Sequence, residues 1–189
     1  MNGHKTPNME QWRAYNAVLD WFFMQPDKAV SLRQLSELLG IHARAVGAAV
    51  RQLSKEGFIQ KTVVGRAWQL VARQDHKYFT TRKIGHNLIK VYDSGIVEDI
   101  LKRWKNPVAI ILFGSYRYGK DIETSDIDIA VELSGDEPHR IQELCTVSFP
   151  FRKPVKVQLH TYGRKSIDPN LFVNIANGIV LYGLLEVRP

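Results

Sequence analysis

Apolar residues recur at helical spacing through the first third of the chain and then change to alternation. From Met9 to Met24, Trp12, Tyr15, Val18, Leu19, Phe22 and Phe23 make one helical face. Pro26-Asp27 breaks that pattern. Ser31 is placed to cap a second helix over Leu32 to Leu39, which Gly40 stops. A third helix is predicted from His42 to Glu56, ended by Gly57. Phe58 to Val64 and Ala67 to Val71 then read as two strands about Gly65-Arg66, a hairpin. Helical spacing returns over about Thr80–Tyr92 and Ser94–Trp104, with Gly85 and Gly95 as poor helix formers inside or between them. Asn106-Pro107 closes this stretch.

The pattern after Pro107 is different again. An apolar run, Ile110 to Phe113, ends in Gly114-Ser115, and a polar loop continues through Arg117 and Lys120. Ser125 to Glu132 then alternates carboxylates with Ile127, Ile129 and Val131, as a strand with one buried face does. On such a strand Asp126 and Asp128 point the same way, with Cα atoms roughly 6.6 Å apart. Ser134 to Pro138 reads as a turn, Arg140 to Val147 as a helix, and Pro150 to Pro154 as a basic loop. A strand over Val155–His160 comes next, then a helix entered at Asp168-Pro169, where proline is favourable. The expected class is α/β in the α+β sense, with a small mixed sheet covered by helices in the C-terminal part.

Composition changes this picture little; charge changes it more. A chain of 189 residues with 44% hydrophobic and 24% charged residues is ordinary for a globular protein of one or two domains. No apolar run reaches the ~20 residues of a membrane helix, and no apolar signal core lies behind Met1. Cys145 is the single cysteine, so neither an intrachain disulfide nor a thiolate zinc site can form, and a cytoplasmic location is expected. The net charge of +7 is uneven. Residues 1–77 hold 11 Lys and Arg against 6 Asp and Glu, while residues 78–189 hold 15 against 13. The basic excess therefore lies in the N-terminal part, which points to a polyanionic partner there.

The chemistry-bearing residues gather between 114 and 128. Backbone N–H groups at Gly114-Ser115 and the Ser115 hydroxyl, at a strand-to-helix turn, make a cradle for phosphate. Two carboxylates at the Asp126–Asp128 spacing can grip divalent cations between them. Cradle and carboxylates together imply metal-assisted phosphoryl or nucleotidyl transfer.

An apolar strand, Gly114-Ser115, a loop and Asp126-x-Asp128 resemble the motif of the nucleotidyltransferase superfamily that includes DNA polymerase beta, and within it the minimal nucleotidyltransferases of bacteria and archaea. Lys156 to His160 and Ile175 to Tyr182 extend the resemblance, which covers roughly residues 107–183. It implies that Gly114 and Ser115 hold the phosphates of a nucleoside triphosphate, ATP above all, with Arg117 and Lys120 neutralising charge. It also implies that Asp126 and Asp128 are the catalytic metal ligands for Mg²⁺ or Mn²⁺. One position departs. Where the family carries a third carboxylate on a later strand, this chain has Gln158, which brings no charge for a second metal and accepts no proton. Glu132 and His160 are candidate substitutes, each with a plain structural reading beside it.

The three N-terminal helices and basic hairpin, over roughly residues 9–73, resemble a winged helix-turn-helix domain. The resemblance implies duplex DNA contact through Arg44, Arg51 and Lys55 on the third helix and Lys61 and Arg66 on the wing. The expected organisation is a winged helix over 1–75, a helical spacer over 76–106 and a nucleotidyltransferase-like domain over 107–189. Two functions are open. One is an enzyme moving a nucleoside monophosphate, AMP from ATP, to an acceptor. The alternative is a DNA-binding regulator or antitoxin whose degenerate transferase domain binds nucleotide or a partner only. The minimal nucleotidyltransferases resemble antitoxins paired with HEPN-type RNase toxins, which makes such a toxin one expected partner. A homodimer is the expectation carried by winged-helix regulators.

Overall fold

A computed structural model describes residues 9–187 except Arg66 and residues 150–152. The described residues gather into two compact units, 9–79 and 80–187, so all but the first four residues of the stretch read as a spacer, 76–106, count with the second.

In the first unit α1 (Met9–Met24) precedes a short β1 (Val30–Ser31), α2 (Leu32–Leu39), α3 (Ala43–Lys55) and the hairpin strands β2 (Ile59–Val64) and β3 (Ala67–Ala72). The three strands form an antiparallel sheet in the order β1-β3-β2. Tyr15, Val18, Leu19 and Phe22 of α1 meet Leu35 and Leu39 of α2, and Val46, Val50 and Leu53 of α3, in one core. Trp12 was expected on that face but stays mostly exposed, stacked on Tyr15. Ser31 caps α2 as a capping box. Its hydroxyl accepts from the Gln34 N–H, and the Gln34 amide oxygen accepts from the Ser31 N–H. Gly40 ends α2 in the left-handed conformation.

The second unit is a five-stranded sheet with helices over both faces. Its elements are α4 (Phe79–Asp93), α5 (Ile96–Arg103), β4 (Ala109–Phe113), α6 (Gly114–Tyr118), β5 (Ile127–Leu133), β6 (Arg140–Val147), β7 (Val155–Gly163), α7 (Pro169–Ala176) and β8 (Ile179–Gly183). The strand order is β6-β7-β5-β4-β8, with β5 and β7 parallel and the other neighbours antiparallel. Alternation divides the faces. Ile110, Leu112, Ile127, Ile129, Val157 and Leu159 turn to one core with Val91, Val97 and Ile100. Ala109, Ile111, Phe113, Ala130 and Tyr162 turn to the other with Ile175 of α7. The class is α+β, as the sequence implies.

Residues 140–147 form the edge strand β6, not the expected helix. The reason is a bulge. The register with β7 shifts between Glu143 and Cys145, so strict alternation is lost. Leu144 and Cys145 then both reach the core, and with Ile141 they mimic helical spacing in sequence. Among the described residues no helix is long and apolar enough to cross a membrane.

Candidate nucleotide-transfer site

The strand β4 is buried along its whole length and anchors the turn at its end. The chain turns at Gly114, where φ is +69°, directly into α6. A Cβ at Gly114 would lie 2.1 Å from Asp128 Oδ2. Only glycine fits this turn with that carboxylate against it. Ser115 therefore stands at the start of α6, beside the Asp128 strand, and the turn places Gly114 and Ser115 next to Asp128.

Asp128 pairs in register with Phe113 on β4 and with Gln158 on β7, and Gln158 pairs with Glu143 on β6. In-register neighbours share a sheet face, so one row runs Phe113, Asp128, Gln158, Glu143. Asp126 lies just before β5, two residues from Asp128. Among the described residues no cation is paired with Asp126 or Asp128. Burial first, and then the Asp126 charge, push the Asp128 carboxyl up to about 6. The donor set suits a hard cation. Asp126, Asp128 and the Gln158 amide oxygen are the residues that would hold Mg²⁺ or Mn²⁺, which would supply charge stabilisation at the transferring phosphoryl group. Beyond the Asp pair, no group of three or more His, Cys, Asp or Glu is arranged to hold a metal among the described residues.

Glu132, four residues further along the same face, is not a ligand. Arg164 binds it in a fork, Nε to Oε1 at 2.7 Å and Nη2 to Oε2 at 2.9 Å. His160 lies on the same face beside Ala130, one step beyond Gln158. Its ring packs edge-on to Phe113 and stacks with His139, whose Nε2 is 3.3 Å from His160 Nδ1. Burial, then His139, hold the His160 imidazole below its usual range.

Arg117 donates from Nε to the Asn177 carbonyl at 2.7 Å and stacks over Tyr118, while Lys120 is exposed. A network missed in sequence fixes this loop. Lys83 and Asp121 are an ion pair at 3.5 Å, each 2% exposed, with Lys83 Nζ also donating to the Asp121 carbonyl. Asn87 donates to Asp121 Oδ1 at 2.6 Å and to the Tyr116 carbonyl at 3.2 Å. The clue was present: Phe79, Lys83, Asn87 and Val91 occupy successive buried turns of α4. Two polar residues in that stripe need buried partners.

Residues 94–167 match a nucleotidyltransferase domain. The matched span starts just before α5 and takes in Gly114, Ser115, Asp126, Asp128 and Gln158. It supports a nucleotidyl-transfer function for the second unit. No curated protein matches the chain.

In the first unit Arg44, Arg51 and Lys55 are exposed and lie at i, i+7 and i+11 on one face of α3, with Ala48 between. Arg44 and Arg51 line a polar cleft of about 500 Å³ with His42, Glu10 and Gln11. Lys61 Nζ sits 4.4 Å from the centre of the Trp68 ring, and the Arg51 guanidinium 6.0 Å from it. Trp68 thus gathers a helix cation and a hairpin cation. Arg66 lies outside the described residues.

Proposed function

We propose that the second unit transfers a nucleoside monophosphate, AMP from ATP, to an acceptor with Mg²⁺ or Mn²⁺, and that the first unit binds duplex DNA as a winged helix-turn-helix. The observation that carries the transfer reading is the closeness of Gly114 to Asp128, which joins the phosphate-cradle turn to an unpaired carboxylate. Gly114 and Ser115 receive the triphosphate, Lys120 adds positive charge, and Asp126 and Asp128 hold the cation. The test is incubation with labelled ATP and Mg²⁺ or Mn²⁺ in a lysate of the source organism, beside an Asp126→Ala/Asp128→Ala double variant. Label on a protein, RNA or small molecule only with the intact pair is the expected result. No label with either protein overturns it.

The DNA reading rests on the stripe of Arg44, Arg51 and Lys55 and on the Lys61–Trp68–Arg51 group. Affinity for duplex DNA is expected to fall steeply with salt. Replacing Arg44, Arg51 and Lys55 with alanine is expected to reduce the slope of log K against log salt by about 3. An unchanged slope removes α3 from the interface.

Gln158 favours a second reading, a DNA-binding regulator or antitoxin whose transferase domain binds nucleotide or a HEPN-type toxin without turnover. Thermal denaturation with ATP and Mg²⁺ separates the cases together with the labelling test. Stabilisation without label transfer supports the regulator. A homodimer on paired half-sites belongs to the same proposal.

A further inference from the structure

The cleft between α1 and α3 in the first unit holds one acid among cations. Glu10 comes from the first turn of α1, and Arg44 and Arg51 come from α3. Ala45 and Ala48 are the other α3 residues in its lining, so the helix surface between the two guanidinium groups carries only methyl groups. The two arginines differ. The Arg51 guanidinium lies 6.0 Å from the centre of the Trp68 ring on the hairpin. Arg44 sits in the first turn of α3, and among the described residues neither it nor Glu10 has an ion pair, although both line the same cleft. A carboxylate on a face that meets a polyanion is repelled by every phosphate near it. That cost is offset where the carboxylate accepts from a base.

The donor pattern says which base pair. A guanidinium fork offers two parallel donors, and a carboxylate is an acceptor. Across the major groove a G·C pair presents guanine N7 and O6 as acceptors and then cytosine N4 as a donor. An A·T pair presents acceptor, donor, acceptor and a methyl group. Two donors followed by an acceptor complement the first edge and not the second. We propose that Arg44 and Glu10 together read one G·C pair, Arg44 forking onto guanine and Glu10 accepting from the cytosine amino group. The inference rests on the DNA reading of the first unit given above. Arg51, Lys55 and Lys61 then meet phosphates and fix the register of the contact.

The test uses the full chain to select from duplexes with a randomised core, and the bound pool is sequenced. Enrichment of a G·C pair at one position is expected. Affinity is then measured on the selected duplex and on the same duplex with A·T at that position, where the parent should prefer the first roughly tenfold. Glu10→Ala and Arg44→Lys should each lose most of this preference, and both positions are exposed, so the fold is kept. Arg44→Lys retains the charge but not the fork, so its salt dependence should match the parent's. A pool without G·C enrichment, or variants that keep the preference, overturns this inference while the DNA reading stands. So does a gain of affinity in Glu10→Ala by the same factor on both duplexes, which would place the carboxylate beside phosphates. Failure to bind any duplex overturns the DNA reading, and this inference with it.

Discussion

Two carboxylates on one strand face, Asp128 and Glu132, have opposite environments. Both belong to β5 and project to the same side of the sheet, four residues apart. Glu132 is 4% exposed, yet its charge is matched by both donors of the Arg164 fork, and Arg164 Nη1 donates on to the Glu186 carbonyl at 2.6 Å. Asp128 is part-buried with no described cation on it, next to Asp126, and its carboxyl is pushed up to about 6. A matched acid and an unmatched one on the same strand do different work. The first ties β5 to the segment after β7. The second holds an unfavourable charge, which a bound cation would relieve. The neighbouring Tyr162 phenol is pushed up by burial and then by the Glu132 charge.

The largest expected effect comes from the turn that presses on Asp128. In Gly114→Ala the methyl would meet Asp128 Oδ2 at 2.1 Å at a φ of +69°. Backbone strain of about 1–2 kcal/mol is expected in thermal unfolding. Displacement of the carboxylate lowers labelling from ATP by about a hundredfold. Asp128→Asn is expected to lower labelling by a similar factor. It should leave the unliganded protein at least as stable as the parent at pH 7, because the repulsion with Asp126 is gone. Glu132→Gln reverses the sign. Losing the fork to Arg164 costs about 2 kcal/mol in denaturant unfolding, while the folded fraction keeps its labelling. If Asp128→Asn destabilises and Glu132→Gln abolishes transfer, the roles assigned to the two acids are exchanged.

Much of this contrast was legible in the sequence. The alternation from Ser125 to Glu132 places Asp126 and Asp128 on one face, and Gly114-Ser115 marks the turn, because a local period of two and a positive-φ residue are local properties. Gln158 was legible as a missing charge, and the register shows it beside Asp128. Arg164 was not legible as the partner of Glu132, since the pair is 32 residues apart and depends on how β7 lies parallel to β5. Edge strand β6 was misread because a bulge breaks its period, so local spacing pointed the wrong way. Lys83 and Asn87 were readable only as polar residues in an apolar stripe; Asp121, their partner, lies more than thirty residues on.

The smallest effect is also the most direct measure of the unmatched charge. An acid whose carboxyl is raised in the folded state takes up protons more readily there than when unfolded, so it stabilises the fold at low pH. That contribution is full below the ordinary aspartate range and is lost as pH climbs through about 6. Because Asp128 is partly solvated, the swing is expected to be about 1 kcal/mol between pH 5 and pH 7.5. It should vanish in Asp128→Asn and persist in Glu132→Gln. A divalent cation binds the ionised form, so Mg²⁺ or Mn²⁺ should raise the melting temperature more at pH 7.5 than at pH 5. Equal cation stabilisation at both pH values, or a swing retained in Asp128→Asn, would show that the unmatched charge lies elsewhere. In that case Asp128 would resemble Glu132 in being structurally satisfied, and the transfer site would need another anchor.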